Sequence, residues 1–507
     1  MSADHILAID QGTTSSRAVV YDRGLRPVGQ AQVEVPPTYP QPGWVEHDPA
    51  QLIGSVVQVA ADAVRDAGIE TGRLAGIGIT NQRETALIWD RATGRALSPA
   101  IVWQDRRTAR FCEAQAEHEP WLSRRTGLVL DAYFSATKFA WLLENVPGAR
   151  SRAETGELAA GTVDSWLIWH LSGGRVHATD ITNASRTLLM DLRTGQWGND
   201  LCDFFAIPPS LLPEIRPSSG FFAETANLAG LPNGLPILGV AGDQQASLAG
   251  QGCVAAGQAK CTYGTGAFLL LHTGGEVVES RSGLVSTAAA ELAQGQPQYA
   301  LEGSVFIAGA AVQWFRDGLK AIGAAPEIDT LYAQGRESSG ILFVPALTGL
   351  GAPHWAPEAR GTIFGLTRDT SLADLARATI EGVAFQVADL VDAMTRDLGR
   401  APDELRVDGG MARSDPFLQF QADLMGITLR RSPQVESTAL GAALLAGLAA
   451  NLWPDAATAL KAQGPAGTVF RPQRDPQWRD RALAAWRHAV ETVKRHYPAP
   501  GSSDTVA

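Results

Sequence analysis

Cysteine is scarce in this chain, with four among 507 residues. Cys112, Cys202, Cys253 and Cys261 have neither the spacing of a metal cluster nor that of a redox pair. No basic stretch and apolar core follow Met1-Ser2-Ala3-Asp4, so no secretion signal is read, and reduced thiols in a cytoplasmic protein are expected. Without secretion, Asn183-Ala184-Ser185 is an accidental match to a glycosylation acceptor. Positive charge is in short supply too: 42 Lys and Arg against 53 Asp and Glu leave a formal net charge of −11, which argues against nucleic acid as a partner. No uncharged run reaches the ~18 residues expected of a membrane span. The longest, Ser437 to Trp453, is rich in Ala and Gly and reads as a buried helix packed closely on a neighbour. Gly252-Cys253-Val254-Ala255-Ala256-Gly257-Gln258 has Walker-like glycine spacing but no lysine, and the protein-kinase signatures are missing. No zinc-type His pair occurs, and His5, His118, His170 and His177 read as structural or exposed.

What is present is a repeated turn. Asp10-Gln11-Gly12-Thr13-Thr14-Ser15 lies between the apolar runs Ile6 to Ile9 and Ala18 to Tyr21, a strand-turn-strand hairpin. Backbone N–H groups in such a turn form an anion-binding concavity, its hydroxyls add donors, and Arg17 adds a fixed charge. Asp10 would repel a phosphate unless a cation stood between them, which suggests Mg2+. On this segment alone, an ordinary turn using Gly and Thr for their backbone preferences explains the pattern equally well. A second hairpin, built around Gly264-Thr265-Gly266, lies half a chain away. A third glycine turn, Asp408-Gly409-Gly410-Met411, follows Leu405-Arg406-Val407 and leads into a helical pattern from Phe417 to Met425. A duplication that grips one nucleotide from both halves is the simplest account.

Hydrophobic residues make up 45% and charged residues 19%, a globular balance, and the length calls for two or more domains. Strands are expected at Leu74 to Ile79, Ala86 to Trp89, Ile237 to Ala241, Ile341 to Val344 and Leu405 to Val407. Helices are expected at Gln51 to Val64, Thr162 to Leu171, Phe306 to Leu319, Leu372 to Leu398 and Ala439 to Asn451. The alternation gives an α/β class. The division is placed near residue 250, giving units 1–250 and 251–507, with the active site in the crevice between them and a polar, mobile tail after Pro498.

Further motifs make the pattern specific. They are Gly43-Trp44-Val45-Glu46-His47-Asp48-Pro49, Gly78-Ile79-Thr80-Asn81-Gln82-Arg83-Glu84-Thr85, Val102-Trp103-Gln104-Asp105-Arg106-Arg107-Thr108, Gly242-Asp243-Gln244-Gln245-Ala246, Thr348-Gly349-Leu350-Gly351-Ala352-Pro353 and Phe364-Gly365-Leu366-Thr367-Arg368. With them the chain, from Ile6 to about Trp486, resembles the FGGY carbohydrate kinase family of the actin/hexokinase/Hsp70-like ATPase superfamily, and within it the branch that phosphorylates glycerol. The resemblance implies two duplicated actin/hexokinase-like (ribonuclease H-like) domains around a cleft, ATP and Mg2+ as cofactors, and a homodimer or homotetramer. Relatives acting on erythritol or xylulose are the nearest alternative. An ATP-driven switch of the actin or Hsp70 type is disfavoured by the polyol-type residues.

A kinase needs a base for the acceptor hydroxyl, and Asp243, at the carboxyl end of Pro236 to Gly242, is the candidate. Capping the following helix is a role that Asp243 could hold at the same time. Arg83 and Glu84 are adjacent, so both can reach one pocket only from irregular backbone past the strand's end. A carboxylate beside a guanidinium suits hydroxyls that both donate and accept, although a surface ion pair explains the two residues alone. The resemblance implies that Arg83, Glu84, Tyr133, Asp243 and Gln244 hold the glycerol hydroxyls while Trp103 and Phe268 flank its carbon backbone. It further implies Thr13, Thr14, Ser15 and Arg17 on one side of the ATP phosphates, and Thr265, Gly309, Gln313, Gly410 and Met411 on the other. Asp10 and Asp243 are the expected Mg2+ ligands. Asp415 stands where many relatives have Asn, and an ionised Asp cannot donate, so its nucleotide contact is altered. Some glycerol-phosphorylating relatives bind fructose 1,6-bisphosphate through a Gly-Gly-x-Arg loop. The matching Gly230-Leu231-Pro232-Asn233-Gly234-Leu235-Pro236 has no cation and no His, so weak or absent inhibition by that ligand is expected.

Overall fold

Two mixed sheets carry the molecule, and they are wired alike. The computed structural model describes residues 3–293, 295–433, 436–462 and 467–498. The tail expected after Pro498 lies outside the described residues. The first sheet contains β1 (His5–Gln11), β2 (Ser15–Tyr21), β3 (Pro27–Glu34), β4 (Leu74–Asn81), β5 (Ser219–Glu224) and β6 (Pro236–Gly242), in spatial order β5-β6-β4-β1-β2-β3. The second contains β7 (Ala259–Tyr263), β8 (Ala267–Gly274), β9 (Val285–Ala288), β10 (Tyr299–Val305), β11 (Glu404–Gly409), β12 (Thr428–Arg431) and β13 (Val469–Phe470). Its order is β9-β10-β8-β7-β11-β12-β13. From β3 across to β5, successive pairs run antiparallel, antiparallel, parallel, parallel, antiparallel. The same series recurs from β10 across to β13. The duplication expected from the glycine hairpins is therefore a duplication of sheet topology.

Central strands show why these residues pair. In β1, His-Ile-Leu-Ala-Ile is buried throughout, the near-continuous apolar run of a strand covered on both faces. One face of the first sheet is closed by α1 (Pro49–Ala67), whose start is fixed by Asp48 accepting from the Ala50 N–H and by Pro49, and whose end is fixed by Gly68 in the left-handed region. The second sheet packs on α3 (Leu372–Leu398), which opens with a capping box between Ser371 and Asp374. Between these helices in the chain, α2 (Asp243–Gly250) follows β6 directly. The helix α4 (Asp415–Met425) follows the turn after β11.

The Ala/Gly-rich run forms α5 (Ser437–Ala449), buried along most of its length. It comes from the second half of the chain, yet it packs on β1, β4, β6 and α2 of the first sheet. A Cβ built at Gly441 would lie 1.8 Å from the carbonyl oxygen of Ala246, so only glycine lets the two backbones meet. That contact explains the small side chains that the sequence shows there.

One expected helix is broken. Instead of running from Phe306 to Leu319, the chain has a five-residue α-helix at Gly309–Gln313 and a π-turn at Trp314–Gly318. The N–H groups of Ala308 and Ala310 donate to the carbonyl of Thr265, and that of Gly309 donates to the carbonyl of Gly264. Tying this segment to the second hairpin turn prevents an earlier helical start. Among the described residues, no helix is long and apolar enough to cross a membrane.

Candidate active site

Strand β4 ends at Asn81, and Glu84 takes a positive φ of 60° two residues beyond Gln82. The backbone is thus irregular where Arg83 and Glu84 stand, and both side chains turn to one side. The two are almost wholly buried, Arg83 at 3% exposure and Glu84 at 1%. Asp243 sits one residue past β6, at the carboxyl end of a parallel strand. Its Oδ1 lies 3.2 Å from Arg83 Nε, and its side chain retains 31% exposure. Gly242 makes this approach possible, because a Cβ there would fall 2.7 Å from the Arg83 side chain.

The guanidinium of Arg83 is shared. Its terminal nitrogens donate to both oxygens of Glu302, on β10 of the second sheet, at 2.6 and 3.0 Å. Arg186 donates from Nε to Glu84 Oε1 at 2.7 Å and from a terminal nitrogen to Glu302 Oε1 at 3.0 Å. The hydroxyl of Tyr133 lies 3.5 Å from Arg83, and the Trp103 ring meets the Tyr133 ring edge-on at 5.7 Å. Trp103 also donates its indole N–H to the Thr13 hydroxyl at 2.8 Å, joining the first hairpin to the pocket wall. Gln244 accepts from Lys260 Nζ at 2.5 Å. Phe268, on β8, packs beside Leu248 of α2.

Burial sets the electrostatics. It raises the Asp243 carboxyl above its usual range, with Arg83 and Lys260 pulling the other way. A raised basicity suits a proton acceptor. Asp10 is pushed up to about 7, by burial first and then by the charges of Asp243 and Glu436. Glu84 is also raised by burial against Arg83 and Arg186. Glu302 is the exception: burial opposes its charge, yet Arg186 and Arg83 prevail and hold it down at about 2. Burial lowers Lys260, although Asp408 and Asp243 oppose that shift.

The hairpin residues lie at the turns as the sequence places them. Thr13 and Thr14 fall between β1 and β2, with Ser15 at the start of β2, and Gly12 N–H closes the turn on the Ser15 carbonyl at 2.9 Å. Arg17 is engaged by Gln30 at 2.9 Å and by Glu436, which precedes α5. Thr265 lies in the β7–β8 turn, and Gly309 and Gln313 open and close the short helix tied to it. Gly410 and Met411 follow β11, whose Asp408 stands opposite Thr262 of β7. Asp408 Oδ2 takes the Ser437 hydroxyl. Asp415, in the first turn of α4, is paired with Arg431 at 2.7 Å and is exposed, so its carboxylate is already committed to a cation. Glu302, Arg186 and Lys260 escaped the sequence analysis. A single charge inside an apolar strand, as in Tyr299-Ala300-Leu301-Glu302-Gly303, was the available signal for Glu302.

Residues 5–250 match the FGGY family of carbohydrate kinases, N-terminal domain, and residues 259–450 match the C-terminal domain of the same family. The chain belongs to the FGGY family of carbohydrate kinases. A glycerol kinase of Alkalilimnicola ehrlichii is 54% identical over 490 residues, covering 96% of this chain and 97% of that protein. A glycerol kinase of Deinococcus radiodurans is 52% identical over 492 residues, covering 97% of each. The crystal structure of Plasmodium falciparum glycerol kinase with ADP superposes with a TM-score of 0.91 at 37% identity, covering 97% of this chain and 98% of that one.

Proposed function

We propose that this protein transfers the γ-phosphoryl group of ATP to a terminal hydroxyl of glycerol, giving sn-glycerol 3-phosphate in the cytoplasm, in glycerol catabolism. The observation that carries this proposal is the meeting of Asp243, Arg83 and Glu84 at the ends of two parallel strands. Kinship at about half identity with glycerol kinases supports it.

Asp243 Oδ takes the proton of the attacking hydroxyl, for which its raised basicity and partial exposure suit it. Arg83 donates to one polyol oxygen and Glu84 accepts from a hydroxyl hydrogen, so a short polyol is held in a single orientation. Tyr133 and Gln244 add hydrogen-bonding groups, and Trp103 and Phe268 wall the carbon chain. On the nucleotide side, Thr13, Thr14, Ser15, Arg17, Thr265, Gly309, Gln313, Gly410 and Met411 line the approach to the phosphates. Asp10 and Asp243 fit a magnesium site, since the charge of Asp243 raises the cost of charging Asp10 and a cation between them removes that cost. Among the described residues, no group of three His, Cys, Asp or Glu could hold a metal. Mg2+ is commonly bound by one or two carboxylates with waters and phosphate oxygens, so two suffice. When bound, the ion offsets the phosphate charge during transfer. The units 1–250 and 251–507 are read as two lobes closing on the substrates, in a homodimer or homotetramer.

The test is a coupled ADP-release assay with Mg-ATP against glycerol, dihydroxyacetone, erythritol, xylulose, ribulose and gluconate, with a blank lacking acceptor. Glycerol giving the highest kcat/KM supports the pocket. A longer sugar winning discards the pocket while keeping Asp243 as base, and turnover indifferent to every acceptor overturns the proposal.

A further inference from the structure

The polyol pocket leans on an anion from the opposite sheet. Glu302 belongs to β10, which hydrogen-bonds only within the second sheet, whereas Arg83 and Arg186 belong to the first half of the chain. Its two oxygens are divided between these arginines, Oε2 at 2.6 Å from Arg83, and Oε1 at 3.0 Å from both Arg83 and Arg186. Arg186 continues the series by gripping Glu84 at 2.7 Å. All four side chains are at most 2% exposed, so none can be satisfied by solvent. The aromatic ring of Phe134 lies 5.1 Å from the Arg186 guanidinium carbon, and that of Tyr133 lies 5.7 Å from it. Arg186 therefore has little room to change rotamer.

We propose that Glu302 and Arg186 are positioning residues for the polyol: the buried series Glu84–Arg186–Glu302–Arg83 fixes the directions in which Arg83 and Glu84 meet the substrate. The proposal rests on the assignment of Arg83 and Glu84 to a polyol. The physical reason is geometric. A bidentate carboxylate holds a guanidinium in one plane, and this leaves Arg83 Nε directed at Asp243. Arg186, anchored at its other end by Glu302, holds one oxygen of Glu84 and leaves the second for a hydroxyl. Without Glu302, the carboxylates left beside these two buried cations among the described residues are Glu84 and Asp243, with the Gln245 side-chain oxygen, which accepts from Arg83 at 3.2 Å, as a neutral partner. Arg83 would then rotate toward Asp243 and tie up the base. Neither Glu302 nor Arg186 needs to touch substrate for this effect.

The test compares Glu302→Gln, Glu302→Asp and Arg186→Lys with the unaltered protein, in the full chain. KM is measured separately for ATP and for the polyol on which the unaltered protein is most active, and thermal melting is followed in parallel. Glu302→Asp keeps the charge but draws the carboxylate back by one methylene, so it folds with a monodentate grip. It is expected to raise KM for the polyol about tenfold and leave KM for ATP within about twofold. Glu302→Gln is expected to lower kcat/KM for the polyol by about 10²-fold, the scale of a hydrogen bond lost to a charged group. Arg186→Lys is expected to behave like Glu302→Asp. Should Glu302→Gln be insoluble, the other two variants decide. Unchanged polyol KM in them, or equal losses for ATP and polyol, would overturn the positioning role, since a merely structural defect has no reason to choose one substrate. Failure of the underlying function is a separate outcome, seen as the absence of acceptor-dependent turnover in the unaltered protein.

Discussion

Arg83 faces two carboxylates unequally: both terminal nitrogens go to Glu302, at 2.6 and 3.0 Å, and only Nε, at 3.2 Å, goes to Asp243. A full bidentate pair with Asp243 would have held that carboxylate firmly ionised and made it a poor proton acceptor. With its terminal nitrogens on Glu302, Arg83 still pulls the Asp243 carboxyl down but does not overcome the burial that raises it. On the proposed assignment, the arginine can serve the substrate without disarming Asp243.

Replacing the base tests this first. Asp243→Asn is expected to bind both substrates and to lose on the order of 10²- to 10⁴-fold in kcat, the usual worth of general base catalysis. Single-turnover kinetics with saturating ATP and glycerol measure it, and near-normal turnover would remove Asp243 from the mechanism.

Arg83→Ala should damage both binding and stability. Glu302 would lose its bidentate partner while buried, which costs roughly 3 kcal/mol, the low end for a broken buried pair because Arg186 still faces it. Denaturant unfolding should show that loss alongside a raised glycerol KM. A variant of unchanged stability would mean that Glu302 is solvated when Arg83 is absent.

Acid should weaken the fold through two histidines. Burial pushes His272 and His177 down to about 4 from an ordinary 6.5, so both are neutral in the folded chain at pH 5 to 6. The unfolded chain takes up those protons first. Their contribution to stability is therefore complete above pH 6.5, declines as the pH falls from 6.5 toward 4, and loses nothing further below that. His272→Gln with His177→Gln is expected to flatten the melting temperature between pH 6.5 and 4.5. An unaltered slope in the double variant would place the acid sensitivity elsewhere.

Gly441→Ala sets two effects against each other. Helix propensity favours Ala by about 1 kcal/mol in an exposed helix. The new Cβ, however, would meet the Ala246 carbonyl at 1.8 Å, and overpacking of that kind costs ~3 kcal/mol or more because a backbone must move. A lower melting temperature is expected, and a higher one would refute the backbone contact between α5 and α2.

Much of this site could be read from the chain because turns and caps are local. The three glycine turns, the full extent of α3 and the irregular backbone at Arg83 and Glu84 all follow from residues close in sequence. Glu302 and Arg186 could not be found that way, since they lie 219 and 102 positions from the residues they hold and have no motif of their own. The broken helix at Gly309 has the same origin: its N–H groups bond to a turn more than forty residues earlier, a competitor that no local pattern reveals. The helix begins at Asp415, two residues before the expected pattern from Phe417, and the pairing of Asp415 with Arg431 depends on a neighbouring strand that this pattern does not reveal.

The docking of α5 on the first sheet also sets the order of events during synthesis. The six strands of that sheet are complete once Gly242 has left the ribosome, but the helix that covers one face ends at Ala449. About 200 residues separate them, roughly 10–40 s at translation rates of ~5–20 residues per second. For that interval the nascent first lobe carries an apolar face with nothing against it, the kind of surface that chaperones bind. Premature termination before α5 therefore yields no half-enzyme, only an uncovered sheet.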